Sequence, residues 1–237
     1  MISVCMATYN GEKFITEQIN SILSQLQMDD ELIISDDSST DNTIEIINSY
    51  KDNRIKLIEN QSFKNPIFNI ENAIKNALGD FIFLSDQDDI WLPDKVNKTL
   101  NYLQKYDCVV SDAIIIDKNS NILEESFYKI NKTKKGFIKN FIKNGYLGCC
   151  LAFKKELIKY IIPFPRNIPM HDIWIGLISE IYGKTVFCND ALLYYRRHGS
   201  NFSMSSEKSK NNLYKKVIYR LIILLNLVKR YFEVRKV

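Results

Sequence analysis

The sequence predicts an α/β fold with a mostly parallel sheet and helices on both faces. Three observations carry that expectation. Short apolar runs alternate with amphipathic helical patterns through the first half of the chain, and parallel strands are what such helical crossovers join. Acidic clusters follow directly on the second and fourth apolar runs, and open parallel sheets bind ligands outside the carboxyl ends of their strands. The chain has 237 residues, 46% hydrophobic and 25% charged, with 8 Gly and 5 Pro. That is enough to bury a core, and it excludes collagen-like, disordered and disulfide-scaffold classes.

Residues 2–7 read as a buried strand, and residues 12–27 as a helix with Phe14, Ile15, Ile19, Ile22, Leu23 and Leu26 on one face. Residues 32–35 form the second expected strand. The Ser38-Ser39-Thr40-Asp41 cluster then caps a helix through Ile44, Ile46 and Ile47, because short oxygen-bearing side chains accept the unpaired N–H groups of a first turn. A third strand is expected at 55–59 and a helix at 68–78, stopped by Gly79. The fourth strand spans 81–85, Pro93 opens a helix to residue 106, and 108–111 is the fifth strand. In the less regular second half, 186–188 and 192–196 read as strands and 170–182 as a helix. There is no internal repeat, so one continuous domain with a tail is expected.

The formal charge of +4 is unevenly divided. From Glu207 onward nine basic residues stand against two acidic ones, so the tail carries +7 and residues 1–206 carry −3. An acidic body offers no basic stripe for nucleic acid. Cys5, Cys108, Cys149, Cys150 and Cys188 form no C-x-x-C pair, and Cys5, Cys108 and Cys188 sit in apolar runs, as buried free thiols do in a reducing compartment. The N-terminus shows no signal-peptide pattern, and no stretch reaches ~18 uninterrupted apolar residues. The expected location is cytoplasmic.

Two acidic constellations carry the chemistry. Ser35-Asp36-Asp37-Ser38-Ser39-Thr40-Asp41 follows the second strand, and Ser85-Asp86-Gln87-Asp88-Asp89-Ile90-Trp91 follows the fourth. Carboxylates this close repel unless a cation or hydrogen-bond donors offset them. Asp-x-Asp spacing on a loop lets Asp86 and Asp88 approach one hard divalent ion, Mn²⁺ or Mg²⁺, that would also bind phosphate oxygens. The competing reading is that Asp and Ser serve here as loop and cap residues. It is preferred for Asp41, and metal-phosphate function for Asp86 with Asp88, because of their position at a strand end.

Thr8-Tyr9-Asn10 after the first strand, Asp36-Asp37-Ser38-Ser39-Thr40-Asp41 after the second, and Asp86-Gln87-Asp88-Asp89 before Trp91-Leu92-Pro93-Asp94-Lys95 together resemble family 2 glycosyltransferases. The resemblance covers residues 1–202, and the Asp86–Trp91 string is most similar to the rhamnosyltransferase-like branch, which builds bacterial surface polysaccharides. It implies the GT-A fold, a Rossmann-like domain over residues 1–206, with a nucleotide-sugar-binding half (1–111) and an acceptor-binding half (112–206). It implies that Thr8, Tyr9 and Asn10 line the donor site, with the Tyr9 ring offered to the base or ribose. Asp37, with Asp36 beside it, would accept the N3–H of a pyrimidine. Asp88 would be the main metal ligand and Asp86 would act on the donor ribose or sugar. Asp89 is left open between such a role and capping the helix that Pro93 opens.

In the second half, His171-Asp172-Ile173-Trp174 matches the family's position for an acidic general base at a helix start. Inversion needs a base opposite the leaving diphosphate, to deprotonate the acceptor hydroxyl. The alternative for Asp172 is a carboxylate favoured by the helix dipole, and both can hold. His171 is expected to make local hydrogen bonds. Tyr194-Tyr195-Arg196-Arg197-His198-Gly199-Ser200-Asn201 resembles the family's late loop. It implies that His198 completes the metal shell or contacts the diphosphate, and that Arg196 or Arg197 neutralises phosphate charge. A lone loop histidine is the alternative. Gly148-Cys149-Cys150 resembles the acceptor-side segment, where a small residue permits close approach. No base is placed to make Cys149 a nucleophile.

Two basic regions remain. Lys129, Lys132, Lys134, Lys135, Lys139 and Lys143 form either a solvated face or a surface for a lipid-phosphate acceptor or anionic headgroups. In the tail, 207–237, a helix would gather Tyr214, Val217, Ile218, Leu221, Leu224, Leu225, Val228, Tyr231 and Phe232 on one apolar face, with Lys216, Arg220, Lys229 and Arg230 towards the other side. That pattern favours the inner surface of the cytoplasmic membrane, against packing on the core or on a second subunit in a homo-oligomer. The expected function is inverting, metal-dependent transfer from a nucleoside-diphosphate sugar to a glycan or lipid-linked acceptor. The alternative is an inactive scaffold of the same fold that binds nucleotide or glycan. An oxidoreductase is disfavoured because no G-x-G occurs, and a sugar nucleotidyltransferase because Thr8-Tyr9-Asn10-Gly11-Glu12 is not its Gly-rich basic loop.

Overall fold

The computed structural model describes residues 1–198 and 213–235. In chain order its elements are β1 (Ile2–Thr8), α1 (Ile15–Leu23), β2 (Glu31–Asp36), α2 (Thr43–Ser49), β3 (Ile55–Ile58), α3 (Pro66–Lys75), β4 (Phe81–Asp86), β5 (Ile90–Trp91), α4 (Lys95–Leu103), β6 (Cys108–Asp117), β7 (Ile122–Glu124), α5 (Phe127–Asn131), α6 (Phe137–Ile142), β8 (Leu151–Lys154), α7 (Ile158–Ile161), α8 (His171–Tyr182), β9 (Thr185–Arg197) and α9 (Leu213–Val234). Among the described residues the strands form one nine-stranded sheet in the order β3-β2-β1-β4-β8-β6-β9-β5, with β7 paired to β6. β1, β2, β3, β4, β6 and β9 run one way, and β5, β7 and β8 run against them. The α/β fold and the mostly parallel sheet are therefore as expected.

The apolar runs became strands because both faces of the central sheet are covered: β2 is buried at every position and β1 at all but Ala7. Ile15, Ile19 and Ile22 are the buried stripe of α1. That helix is shorter than the expected 12–27. Its first turn is replaced by a tight turn in which Gly11 O accepts the amides of Phe14 and Ile15, while the Gly11 and Glu12 amides bind Thr43 Oγ1 and Asp41. α3 starts earlier than expected because Asn65 caps it, accepting the Ile67 amide at 2.9 Å, and Pro66 fits its first position. Gly79 lies where a Cβ would meet the Ser3 amide nitrogen at 2.7 Å, so the turn can press onto β1. The two late strands expected separately are one strand, β9, whose register against β6 shifts near Asp112. β5, β7 and β8 were not anticipated; they are too short to show a period.

The C-terminal helix packs on the body. Ile223 and Leu227 are buried, and Asn226 Nδ2 donates to Asn167 Oδ1 at 2.9 Å. Arg230, expected towards the polar side, is instead buried. Its guanidinium stacks 5.3 Å over Trp174 and donates to the carbonyls of Tyr160, Ile162 and Pro163. Arg220 is also partly buried. Of the apolar face read from the sequence, Tyr214, Val217, Leu221, Leu224, Leu225, Val228, Tyr231 and Phe232 are exposed. The tail therefore uses its other side for the core. No helix among the described residues is long and apolar enough to cross a membrane. Gly199-Ser200-Asn201 and Glu207, where the tail was expected to begin, lie outside the described residues.

Arg230→Ala strands the carbonyls it satisfies and is expected to cost about 2–4 kcal/mol in urea unfolding. Lys229→Ala, one residue away and exposed, should change stability by about 0.5 kcal/mol or less.

Candidate active site

Register decides which side chains meet at the strand ends. β1 pairs with β2 so that Thr8 stands opposite Asp36, and with β4 so that Ala7 stands opposite Asp86. Thr8 Oγ1 donates to Asp36 Oδ2 at 2.9 Å, and Asp36 also accepts the Ser39 amide at 2.8 Å and the Ser39 hydroxyl at 2.6 Å. Asp37 accepts the amides of Phe63 at 2.6 Å and Asn65 at 3.1 Å, tying the loop before α3 to the end of β2. A carboxylate offers about four acceptor sites, so Asp37 has capacity beyond those two bonds. Gln87 clamps the backbone of Tyr9 from both sides, accepting its amide at 2.9 Å and donating to its carbonyl at 3.0 Å. The clamp needs Gly11, where a Cβ would lie 2.5 Å from Gln87 Oε1. Asn10 takes a left-handed φ of 49° and accepts the Thr40 amide at 2.8 Å. The Tyr9 ring, 55% exposed, is the part of this loop open to a ligand.

The second acidic cluster is crowded and largely dry. Burial pushes Asp86 up to about 7, and the charges of Asp88 and Asp172 add to the shift. Asp89 is fully buried; burial, then Asp88 and Asp86, raise its carboxyl well above the usual range. Asp89 does not cap α4. Its Oδ1 accepts the Arg196 amide at 3.0 Å, while the cap position of α4 is Asp94 at a left-handed φ of 65°. Asp88 Oδ2 lies 2.7 Å from His198 Nε2, so these two metal candidates are neighbours. Candidate ligand atoms of Asp86, Asp89 and Cys149 also lie within 4.8 Å of one another. Burial raises the Cys149 thiol, however, and a protonated thiol is a poor ligand for a hard ion.

Arg196 holds this loop in place from β9. Its Nε donates to the Asp88 carbonyl at 2.9 Å, one terminal nitrogen pairs with Glu17 at 2.5 Å and the other donates to Ser120 Oγ at 2.9 Å. The guanidinium also lies 4.9 Å over the Phe14 ring, which stacks on His198 at 4.8 Å. Only 2% of Arg196 is exposed, so its charge is matched inside the protein rather than offered to a phosphate. The geometry makes it the brace of the Asp88 loop, a different job from the expected donor contact.

Asp172 opens α8. Its Oδ1 accepts the Ile173 amide at 2.6 Å and its Oδ2 accepts from Asn144 at 3.1 Å. Burial pushes it up to about 6, against those two hydrogen bonds and the nearby Arg220 guanidinium. His171 does not make the local bonds expected of it. Burial lowers its pKa to about 4, so it is neutral, and Nδ1 has no partner among the described residues. Its Nε2 fills the space where Gly148 has no Cβ, which is the close approach that glycine permits.

Several site residues were not anticipated. Gln18, on the buried face of α1, donates to Ser85 Oγ at 2.6 Å and to the Asp86 carbonyl at 3.0 Å; a glutamine at an apolar helix position was the available signal. Glu17, Asn144 and the inward turn of Arg220 left no such trace.

A doubly covered, mostly parallel sheet with acidic loops at the carboxyl ends of β2 and β4 defines a GT-A domain. The chain belongs to glycosyl transferase family 2, whose family model matches residues 3–162. It is 28% identical over 214 residues to UDP-Glc:alpha-D-GlcNAc-diphosphoundecaprenol beta-1,3-glucosyltransferase WfgD of Escherichia coli, covering 89% of this chain and 81% of that one. It is 28% identical over 239 residues to dTDP-rhamnosyl transferase RfbG of Shigella flexneri, covering 91% and 81%. The crystal structure of S. aureus TarS 1-349 in complex with UDP-GlcNAc matches with a TM-score of 0.73 at 20% identity, over 97% of this chain and 69% of that one. In a further TarS 1-349 structure the match spans 60% of that chain, less than two thirds of its length. Likeness at this identity speaks for the fold alone.

The raised Asp172 has a consequence for stability. Its folded value of about 6 lies above an unfolded value of about 3.9, so the folded state binds more protons between the two. Its contribution therefore falls as pH rises from about 4 to 6 and stays lost above. Asp172→Asn should gain about 1–3 kcal/mol at pH 7 and flatten that part of the curve. Equal stability of the two proteins at pH 7 would contradict the shift.

Proposed function

We propose that the chain is an inverting, metal-dependent glycosyltransferase. Its donor is a nucleoside-diphosphate sugar and its acceptor a glycan or lipid-linked glycan of bacterial surface polysaccharide synthesis. The reading rests above all on one juxtaposition: Asp86 feels the charge of both Asp88, on its own loop, and Asp172, from a helix far along the chain. A donor-side acid pair and an acceptor-side base are thereby within electrostatic reach, as a displacement at one sugar carbon requires.

In this reading Thr8, Tyr9, Asn10, Asp36 and Asp37 receive the nucleoside. Asp88 and His198 hold a divalent cation, Mn²⁺ or Mg²⁺, with Asp86 beside them. The adjacency of the Asp88 and His198 ligand atoms and the mutual repulsion of the carboxylates fit such an ion. Bound there, it supplies Lewis-acid stabilisation of the leaving diphosphate. Asp172, raised to about 6, is ionised at neutral pH yet basic enough to take the proton of the acceptor hydroxyl. Asn144 orients its carboxylate. The diphosphoundecaprenol in the name of WfgD supports a lipid-linked acceptor. The exposed face of α9 is read as a peripheral contact with the inner surface of the cytoplasmic membrane.

Thermal-shift screening of UDP-, dTDP- and GDP-sugars with Mn²⁺ or Mg²⁺ should reveal one stabilising donor. With that donor, Asp88→Ala should lose metal-dependent binding. Asp172→Asn should keep donor binding and lose about 10²–10⁴ in transfer, while wild-type turnover rises with pH through about 6. Normal turnover in Asp172→Asn would remove it as the base. No turnover of any donor, with any lipid-linked acceptor, would favour a scaffold.

A further inference from the structure

Gln87 lies where the two loops of the site meet. β1 and β4 run in parallel register up to Ala7 opposite Asp86, and Tyr9 and Gln87 are the residues that follow the ends of these two strands. Beyond that point the chain leaves β1 behind, since β5 pairs with β9. The Gln87 carboxamide then does the work of a ladder backbone. Its Oε1 accepts the Tyr9 amide at 2.9 Å and its Nε2 donates to the Tyr9 carbonyl at 3.0 Å. Both backbone groups of one residue are thereby satisfied at once, as in a hydrogen-bonded pair of strand residues. A side chain in this role frees the main chain to turn away and bring Asp88 to His198, 2.7 Å apart.

The two ends of this clamp are braced differently. The loop after β4 has ties of its own: Gln18 donates to the Asp86 carbonyl at 3.0 Å and Arg196 to the Asp88 carbonyl at 2.9 Å. In the loop after β1, the amides of Asn10, Gly11 and Glu12 go to Ser39, Thr43 and Asp41, whereas both backbone groups of Tyr9 go to Gln87. More than half of Tyr9 is exposed, so packing does little to aim its ring and the backbone must do so. The fit also depends on Gly11, where a Cβ would lie 2.5 Å from Gln87 Oε1 and 2.7 Å from its Cδ, displacing the carboxamide. Asparagine would be one methylene short, and glutamate would keep the acceptor while losing the donor.

We infer that Gln87 is a positioning residue for the donor nucleoside, carrying the fixed position of the Asp86–Asp88 loop to the Tyr9 backbone. It thereby sets the Tyr9 ring at a defined place relative to the Asp88–His198 pair. This rests on the transferase reading above and deepens its donor site by a residue that acts through Tyr9. A nucleotide joins base and diphosphate at a limited range of distances. A site that grips both ends gains affinity by holding its own two halves at that spacing beforehand.

The test uses the full chain and titrates UDP, dTDP and GDP by calorimetry with Mn²⁺ present, and Mn²⁺ alone by electron paramagnetic resonance. For the tightest diphosphate, Gln87→Ala should weaken binding about 5- to 30-fold, as the loss of two hydrogen bonds predicts. Gln87→Met fills a similar space without polar atoms and should weaken it as much; it carries the comparison if Gln87→Ala does not fold. Mn²⁺ alone should bind both variants within about twofold of wild type, because Gln18 and Arg196 still hold the loop. In a Tyr9→Ala background, Gln87→Ala should cost no further affinity, since the ring it aims is gone. Gly11→Ala should reproduce the loss in the wild-type chain and add nothing once Gln87→Ala has removed the carboxamide. The inference is overturned if Gln87→Met binds the diphosphate like wild type, or if the Tyr9→Ala and Gln87→Ala losses simply add. It is also overturned if Gln87→Ala weakens Mn²⁺ alone as much as the diphosphate. Binding of no diphosphate by the wild-type protein would overturn the transferase reading and this inference with it, whereas binding indifferent to Gln87 overturns this inference alone.

Discussion

The in-register pairing of β1 with both β2 and β4 is the constraint on which the rest of the site depends. Because Thr8 pairs with Asp36 while Ala7 pairs with Asp86, two loops distant in sequence leave the sheet at one level and one edge. A slip of one residue on either side would turn every side chain of that strand to the opposite face. The register is held by burial, since β1, β2 and β4 are apolar on both faces and covered by helices. Polar ties near the far end add to it: Asp30 accepts the Ile2 amide at 2.7 Å, and Ser3 bridges Glu31 to the Gly79 amide.

That alignment creates an electrostatic debt. Asp86, Asp88, Asp89 and Asp172 share a poorly solvated region, and burial together with mutual repulsion raises Asp86 and Asp89. The protein meets part of it with Arg196, whose backbone serves Asp89 and whose guanidinium serves the Asp88 carbonyl. The rest is left standing at the place where a cation and a diphosphate would be welcome. Sites of this kind sacrifice stability for function, because the charges that destabilise the empty site favour the ligand.

The half of the chain that carries Asp172, the proposed acceptor side, is built by different means. β8 and β9 extend the sheet beyond β4, and α8 presents Asp172 with its first turn packed on Gly148. α9 closes over this half through Ile223, Leu227 and Arg230, and in doing so carries Arg220 towards Asp172. One helix thus has two faces with separate tasks: the inner one is part of the core and the outer one remains apolar and open.

Much of this was legible in the sequence. Buried parallel strands must be continuous apolar runs, so β1, β2, β4 and the start of β6 could be read directly, while the half-buried β3 showed itself through Ile55, Leu57 and Ile58 on either side of the exposed Lys56. The Asp36 and Asp86 clusters could be placed at strand ends because they directly follow such runs, where open parallel sheets bind ligands. Asp41, read as a loop and cap residue, lies one position before Asn42 at the cap of α2; it accepts the local Thr43 amide at 3.0 Å and also the distant Glu12 amide at 3.1 Å. What the sequence by itself determined is therefore what depends on near neighbours: the alternation of elements, the strand-end carboxylates and the amphipathic tail. Tertiary structure alone decided the rest. Arg196 looked like a phosphate ligand until its long side chain was seen to be consumed by Glu17 and the Asp88 loop. Asp89 was open between a site role and a cap until β9 arrived to donate to it. Arg220 and Arg230 looked solvated until packing turned them inward. In each case a charged group's role is set by the partner that neutralises it, and those partners lie in segments that no local pattern connects.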